Sequence, residues 1–111
     1  LDNQGYYPLG NKKGNMKNDI RALKPLSNKY YQEIKQICAA NNINFIPIMT
    51  PMCTNTKGLD YFDKVKKRYP EIHNYENAVV EDKYFSSCGH MNDAGARLFT
   101  ARIIHDFFSD Y

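Results

Sequence analysis

The chain reads as an α/β protein on three observations: a nearly continuous apolar, β-favouring run over residues 43–49, amphipathic helical patterns on either side of it, and a third helical pattern closing the sequence. The order is helix, strand, helix, weak strand, helix. One strong strand cannot form a stable sheet alone. Further strands are therefore expected from the first 26 residues, from the region around Ile72, from sequence outside these 111 residues, or from a second copy of the chain.

Residues 1–26 are rich in Gly, Asn and Lys and show no sustained apolar period, which predicts a loop or extended arm. Tyr6, Tyr7 and Leu9 suggest a short strand or a docking contact, and a helical turn is possible over residues 19–23. Ser27 is a plausible N-cap, after which Tyr30, Tyr31, Ile34, Ile37 and Cys38 share one helical face. The helix closes at Asn41 and Asn42. The run over 43–49 has the composition of a strand packed on both faces, as in a parallel sheet between helices. Pro47 lacks an amide donor and argues for an edge position or a bulge.

The loop 50–56 leaves that strand at its carboxyl end, where open α/β sheets gather ligands. Leu59, Phe62, Val65 and Tyr69 then mark a helix that Pro70 stops. A short strand is expected near 72–75 or 78–80. Residues 93–108 form the last helix, with Ala94, Leu98, Ala101, Ile104 and Phe108 expected on its inner face.

The chain has 42% hydrophobic and 24% charged residues and a formal charge of +3, an ordinary globular composition without the basic stripe of a nucleic-acid binder. The run Lys64, Lys66, Lys67 and Arg68 reads as a solvated helix face. No apolar run approaches the ~20 residues of a membrane-spanning helix. The sequence opens at Leu1 without an initiator Met or a leader, and is expected to be a piece of a longer polypeptide.

The segment Phe85-Ser86-Ser87-Cys88-Gly89-His90-Met91-Asn92-Asp93-Ala94-Gly95-Ala96 carries the sharpest chemical suggestion. It presents a histidine in a polar loop at the mouth of an amphipathic helix, and imidazole is the side chain whose unperturbed pKa best suits proton transfer near neutrality. The competing reading of His90 is a loop residue bonding the backbone. Asn92 is expected to cap the helix, accepting from amides near Ala94 and Gly95, and Gly95 to permit close packing at the helix start.

Cys38, Cys53 and Cys88 are too few and too scattered for a disulfide framework. By default they are small apolar residues, with Cys38 in the core. Three alternatives involve Cys53 and Cys88: a disulfide, a reactive Cys88/His90 pair, and a metal site with His90, although no zinc spacing is matched. His73 and His105 read as surface or boundary residues. Tyr61, Phe62, Tyr69, Tyr75, Tyr84 and Phe85 are candidates for a sugar groove or, more economically, for core packing.

The block Ser-x-x-His-Met-Asn-x-x-Gly-Ala-x-x-Phe-Thr, following the helix and the Asn-Phe-Ile-Pro-Ile-Met-Thr-Pro strand, resembles the C-terminal part of SGNH (GDSL-type) hydrolases. It looks closest to the DltD-like and alginate-acetylation-like branch of bacterial cell envelopes. The resemblance spans residues 27–111, and only its final block is specific. It implies a partial three-layer, flavodoxin-like sandwich with few strands, and an ester hydrolase or O-acyltransferase acting on envelope carbohydrate esters. No metal or organic cofactor is implied, and the compartment by analogy is extracytoplasmic.

Within the resemblance, His90 matches the family's general base, Asn92, Gly95 and Ala96 match its helix start, and Met91 replaces the commoner Leu. Ser87 stands where the family has the carboxylate that orients the base; it can hold the ring but cannot stabilise imidazolium as an acid does. Asp82 and Asp93 are spatial alternatives with different spacing. The family's Gly-Asp-Ser nucleophile block does not occur in this sequence, so the serine is expected from an upstream half of the same protein, and these residues alone should be inactive. A different class of reading is a degenerate, non-catalytic SGNH-like module binding glycan or a protein partner. A third is self-association through exposed strand edges.

Overall fold

Residues 14–25 and 27–109 are described in the computed structural model of the chain; the strand suggested around Tyr6, Tyr7 and Leu9 lies outside them. The fold is mixed α/β. In chain order it comprises β1 (Asn18–Asp19), α1 (Lys29–Ala40), β2 (Ile48–Met49), β3 (Thr56–Lys57), α2 (Asp60–Arg68), β4 (His73–Asn74), a 3-10 turn (Asp82–Tyr84), β5 (Phe85–Ser87), β6 (His90–Met91) and α3 (Asp93–Phe108).

The strands of the described residues form three separate pairs: β1 with β3 in parallel, β2 with β4 in parallel, and β5 with β6 as an antiparallel hairpin. The β2–β4 pair accommodates Pro47 because that residue enters only as an acceptor: its carbonyl takes the His73 amide at 2.9 Å, and the Met49 carbonyl takes that of Tyr75 at 3.0 Å. The run 43–49 is not covered on both faces. Phe45, Ile46, Pro47, Ile48 and Met49 are half-buried and Ile43 is exposed, since β4 is the one strand alongside β2 among the described residues.

The helical turn expected over residues 19–23 is a single hydrogen-bonded turn, the Leu23 amide donating to the Ile20 carbonyl at 3.0 Å, and it follows a strand residue. Asp19 is in β1 opposite Lys57, a long-range pairing invisible to local propensity, and Ile20 behind it is buried. Gly58 ends β3 with a φ of 90°, and a side chain there would stand 2.7 Å from the Arg21 amide nitrogen, so the position needs glycine on both counts.

Helix α1 is capped by Asn28 rather than Ser27. The Asn28 side chain accepts from the Tyr30 and Tyr31 amides at 3.0 and 3.1 Å, while the Ser27 hydroxyl meets Arg68. Asn42 leaves the helix in the left-handed region at φ 55°, which Asn tolerates better than most residues. None of the residues of α1 is buried. Cys38 is accordingly half-exposed and not core, and Tyr30, Ile34 and Ile37 lie open. Polar contacts dock the helix instead: Tyr31 Oη donates to Glu71 at 2.7 Å, Lys35 pairs with the same carboxylate at 2.9 Å, and the Tyr31 ring meets Tyr69 edge-on.

The core is built from Cys53, Val79, Phe85, Cys88 and Phe99. Helix α3 enters it through Gly95 and Phe99, with Ile103 packed alongside and the Phe107 ring on His73 and Tyr75. The expected inner face is the wrong one: Leu98, Ile104 and Phe108 are exposed, at 45%, 54% and 42%. The helix is apolar on most of its circumference, and the packing of Gly95 onto the turn before β5 selects which side faces in.

Candidate functional site

His90 is carried by the β5–β6 hairpin, whose tip is Cys88-Gly89. Ser87 and His90 face one another across the hairpin, at a register irregularity between Phe85 and Ser87. The Ser87 hydroxyl lies 2.9 Å from His90 Nδ1. The imidazole is exposed, and Nε2 has no hydrogen-bond partner among the described residues. In the tautomer whose Nδ1–H donates to Ser87 Oγ, Nε2 carries the lone pair and is open to a proton donor.

The helix behind the hairpin fixes this geometry. Asn92 is 3% exposed and is the N-cap of α3. Its Oδ1 accepts from the Gly95 amide at 3.0 Å, its Nδ2 donates to the Lys83 carbonyl at 2.7 Å, and its own amide donates to the Tyr84 carbonyl at 2.9 Å. One residue thus joins the 3-10 turn, β6 and the helix. A side chain at Gly95 would run into the Tyr84 carbonyl oxygen and come within 3.1 Å of Met91 Cβ, so α3 approaches the hairpin as closely as it does only because that position is glycine.

Cys53 and Cys88 form a disulfide, 0% and 2% exposed, within the core. This replaces the default reading of both as free small apolar residues, and removes the thiolate that a Cys88/His90 pair or a metal site would need. The Cys53 amide also donates to the Cys88 carbonyl at 3.0 Å, and the buried Thr56 hydroxyl, 3.1 Å from Cys88 Sγ, is the donor because a disulfide sulfur carries no hydrogen. The loop leaving the carboxyl end of β2 is therefore bonded to the hairpin that carries Ser87 and His90. Among the described residues no group of three His, Cys, Asp or Glu side chains is placed to hold a metal ion.

Neither aspartate replaces Ser87. Asp93 pairs with Arg97 one turn along α3 at 2.9 Å, and Asp82 Oδ1 is buried without a hydrogen-bond partner among the described residues. His73 packs edge-on against Phe107, and His105 Nδ1 lies 3.0 Å from Asp106, whose carboxyl is held well below its usual range by His105, Arg102 and the Tyr75 hydroxyl. The aromatic candidates do not line one groove: Phe62 and Phe85 are buried, Tyr61 packs on Phe62, Tyr69 on Tyr31, and Tyr75 on Phe99 and Phe107.

Sequence patterns gave no sign of what lies beside the hairpin. Residues 14–16 cover it: the Gly14 amide donates to the Ser86 carbonyl, and the Cys88 amide to that of Asn15 at 2.9 Å. From there a cleft of about 1000 Å³ runs between residues 14–19 and 54–57. Neither Ser87 nor His90 is among its walls, but Gly14, which is, donates to the carbonyl of Ser86 next to Ser87.

No family model, curated protein or solved structure matches the chain. No helix of the described residues is long and apolar enough to cross a membrane.

Proposed function

We propose that this chain supplies the histidine half of an SGNH-type serine esterase or O-acyltransferase acting on cell-envelope carbohydrate esters. The observation that carries the reading is the 2.9 Å contact between Ser87 Oγ and His90 Nδ1, which leaves Nε2 exposed and, among the described residues, unpartnered on the hairpin bonded to the β2 loop. The nucleophilic serine would come from polypeptide outside these residues. Nε2 takes the proton of that hydroxyl as its oxygen attacks the ester carbonyl, then returns it to the leaving alcohol; water or an acceptor alcohol repeats the exchange to release the acyl group. Serine-based acyl transfer of this kind requires no metal or organic cofactor.

The finer architecture belongs to the same proposal. A three-layer sandwich completed by strands from an upstream half would cover the open edge of β2 and the bare apolar faces of α1 and α3. The disulfide is weak support for an extracytoplasmic compartment.

The test uses the protein carrying both halves and a short activated ester. His90→Ala should abolish turnover with an unchanged unfolding transition, and the 111-residue chain alone should be inactive. Unchanged turnover in His90→Ala would refute the reading. One observation favours a second reading, a non-catalytic glycan- or protein-binding module: the orienting partner of His90 is a hydroxyl and not a carboxylate. A Gly-Asp-Ser block on a strand-to-helix turn encoded upstream supports the enzyme, and its absence supports the module.

A further inference from the structure

The cationic run that closes α2 divides in the structure. Lys66 turns back on the fold, donating from Nζ to the Pro70 and Ile72 carbonyls at 2.7 Å each. Lys64, Lys67 and Arg68 instead share an open hollow with Lys24 and Pro25, from the segment between β1 and α1. Arg68 also lines a second hollow, with Lys29 at the start of α1, and donates to the Ser27 hydroxyl. The two hollows join through Arg68 into one surface bearing five cations, and no acidic residue lines either of them. Asp60 pairs with Lys64 at 3.2 Å and offsets one charge. Asp63, one turn before Lys67, acts on Glu76: burial and then the Asp63 charge raise that carboxyl above its usual range. Lys24, Lys29 and Lys67 are exposed and belong to none of the ion pairs of the described residues.

An apolar group stands beside these charges. Leu23, next to Lys24, is 51% exposed, and Pro25 lines the first hollow itself. The leucine is carried by an ordered turn, anchored through the buried Ile20 whose carbonyl takes the Leu23 amide. A shallow cationic surface with an exposed aliphatic side chain is complementary to a plane of anionic headgroups over hydrocarbon. The ammonium and guanidinium groups meet phosphates, and the leucine enters the acyl boundary. A soluble phosphate polymer would meet the charges but leave the leucine in water.

We propose that this surface docks the protein on an anionic lipid bilayer, with Lys24, Lys67 and Arg68 on headgroup phosphates and Leu23 at the interface. The inference is independent of the reaction proposed above. The experiment is co-sedimentation of the 111-residue chain with vesicles. One set is phosphatidylcholine alone, and the other carries phosphatidylglycerol as about a third of its lipid. The chain should sediment with the anionic vesicles and not with the neutral ones, and should be released as salt rises from about 0.05 to about 0.5 M. Lys24→Gln/Lys67→Gln should weaken binding about twentyfold, at about fivefold per cation, with its unfolding transition in place. Leu23→Ser should weaken it severalfold at unchanged net charge. Lys17→Gln/Lys57→Gln, which removes the same charge elsewhere, should sediment as the parent does. Equal binding to both vesicle types, no binding to either, or an unaffected Lys24/Lys67 variant would overturn the proposal. An equal loss in the Lys17/Lys57 variant would also overturn it, by showing that net charge alone is read. A single-stranded oligonucleotide bound through Lys24 and Lys67, with the vesicles ignored, would reassign the surface to nucleic acid.

Discussion

Cys53 and Cys88 are covalently joined inside the core, so the loop after β2 and the hairpin bearing Ser87 and His90 are held as one unit. The partners lie 35 residues apart in sequence, and closing a loop of that length lowers the entropy of the unfolded chain by an amount worth about 4 kcal/mol. Denatured, unreduced protein should expose one thiol, that of Cys38, and reduction should expose three. Cys53→Ala/Cys88→Ala should unfold at lower urea, by about 2–4 kcal/mol. Three thiols before reduction would disprove the bond.

Gly95→Ala tests the approach of α3 to the hairpin. Alanine ordinarily strengthens a helix, yet here its methyl group meets a backbone carbonyl that cannot rotate away. A loss of about 3 kcal/mol is expected from overpacking, measured by chemical unfolding. Stabilisation would show that the contact is looser than described.

Asn92→Ala removes the cap of α3 and leaves the Lys83 carbonyl without its donor, for a loss of about 2–3 kcal/mol. Asn92→Ser keeps an N-cap acceptor for Gly95 without the donor for Lys83, and should fall between parent and alanine. If serine and alanine are equally destabilising, the acceptor role at Gly95 contributes nothing.

Ser87→Asp is the informative change at the base. A carboxylate in place of the hydroxyl 2.9 Å from Nδ1 would stabilise the imidazolium formed during proton transfer. In the protein carrying both halves turnover should rise, by about tenfold or more on the scale of triad carboxylates. Ser87→Ala should lower it. If both variants match the parent, Ser87 does not position the ring.

The clasp on α1 gives a pH dependence. Bonds from Lys35 and then Tyr31 lower the Glu71 pKa from 4.5 to about 2, and burial followed by the bond to Glu71 raises that of Tyr31 from 10.0 to about 12. The Glu71 contribution is present above pH 4.5 and is lost as the pH falls towards 2; that of Tyr31 is present below pH 10 and is lost as the pH rises through 12. Amide protection across Lys29–Ala40, taken relative to intrinsic exchange at each pH, should fall at both extremes, and Glu71→Gln should flatten the acid limb. Exchange in α1 that ignores both limits would show that apolar contacts hold it.

The legible part of this fold was local. The start of α3, the stop of α2 at Pro70 and the closure of α1 at Asn41 and Asn42 follow from caps and breakers that act within a turn. The inner face of α3 was not legible, because Phe99, Ile103 and Phe107 on one side compete with Leu98, Ile104 and Phe108 on another. The Ser87–His90 pair lies within one hairpin and was within reach of sequence reading. The disulfide was one alternative among several, since 35 intervening residues give no local signal. The cleft was invisible, because it depends on β1 meeting β3 across the chain.

Helix α1 is fastened by a carboxylate, an ammonium and two phenols while its aliphatic stripe stays bare, so its grip weakens as ionic strength rises. A protease added in high salt should nick the exposed stretch after Asn41 first. The cut helix would then swing out on residues 20–28, tethered where β1 pairs with β3, while the cystine-locked body persists as the resistant fragment.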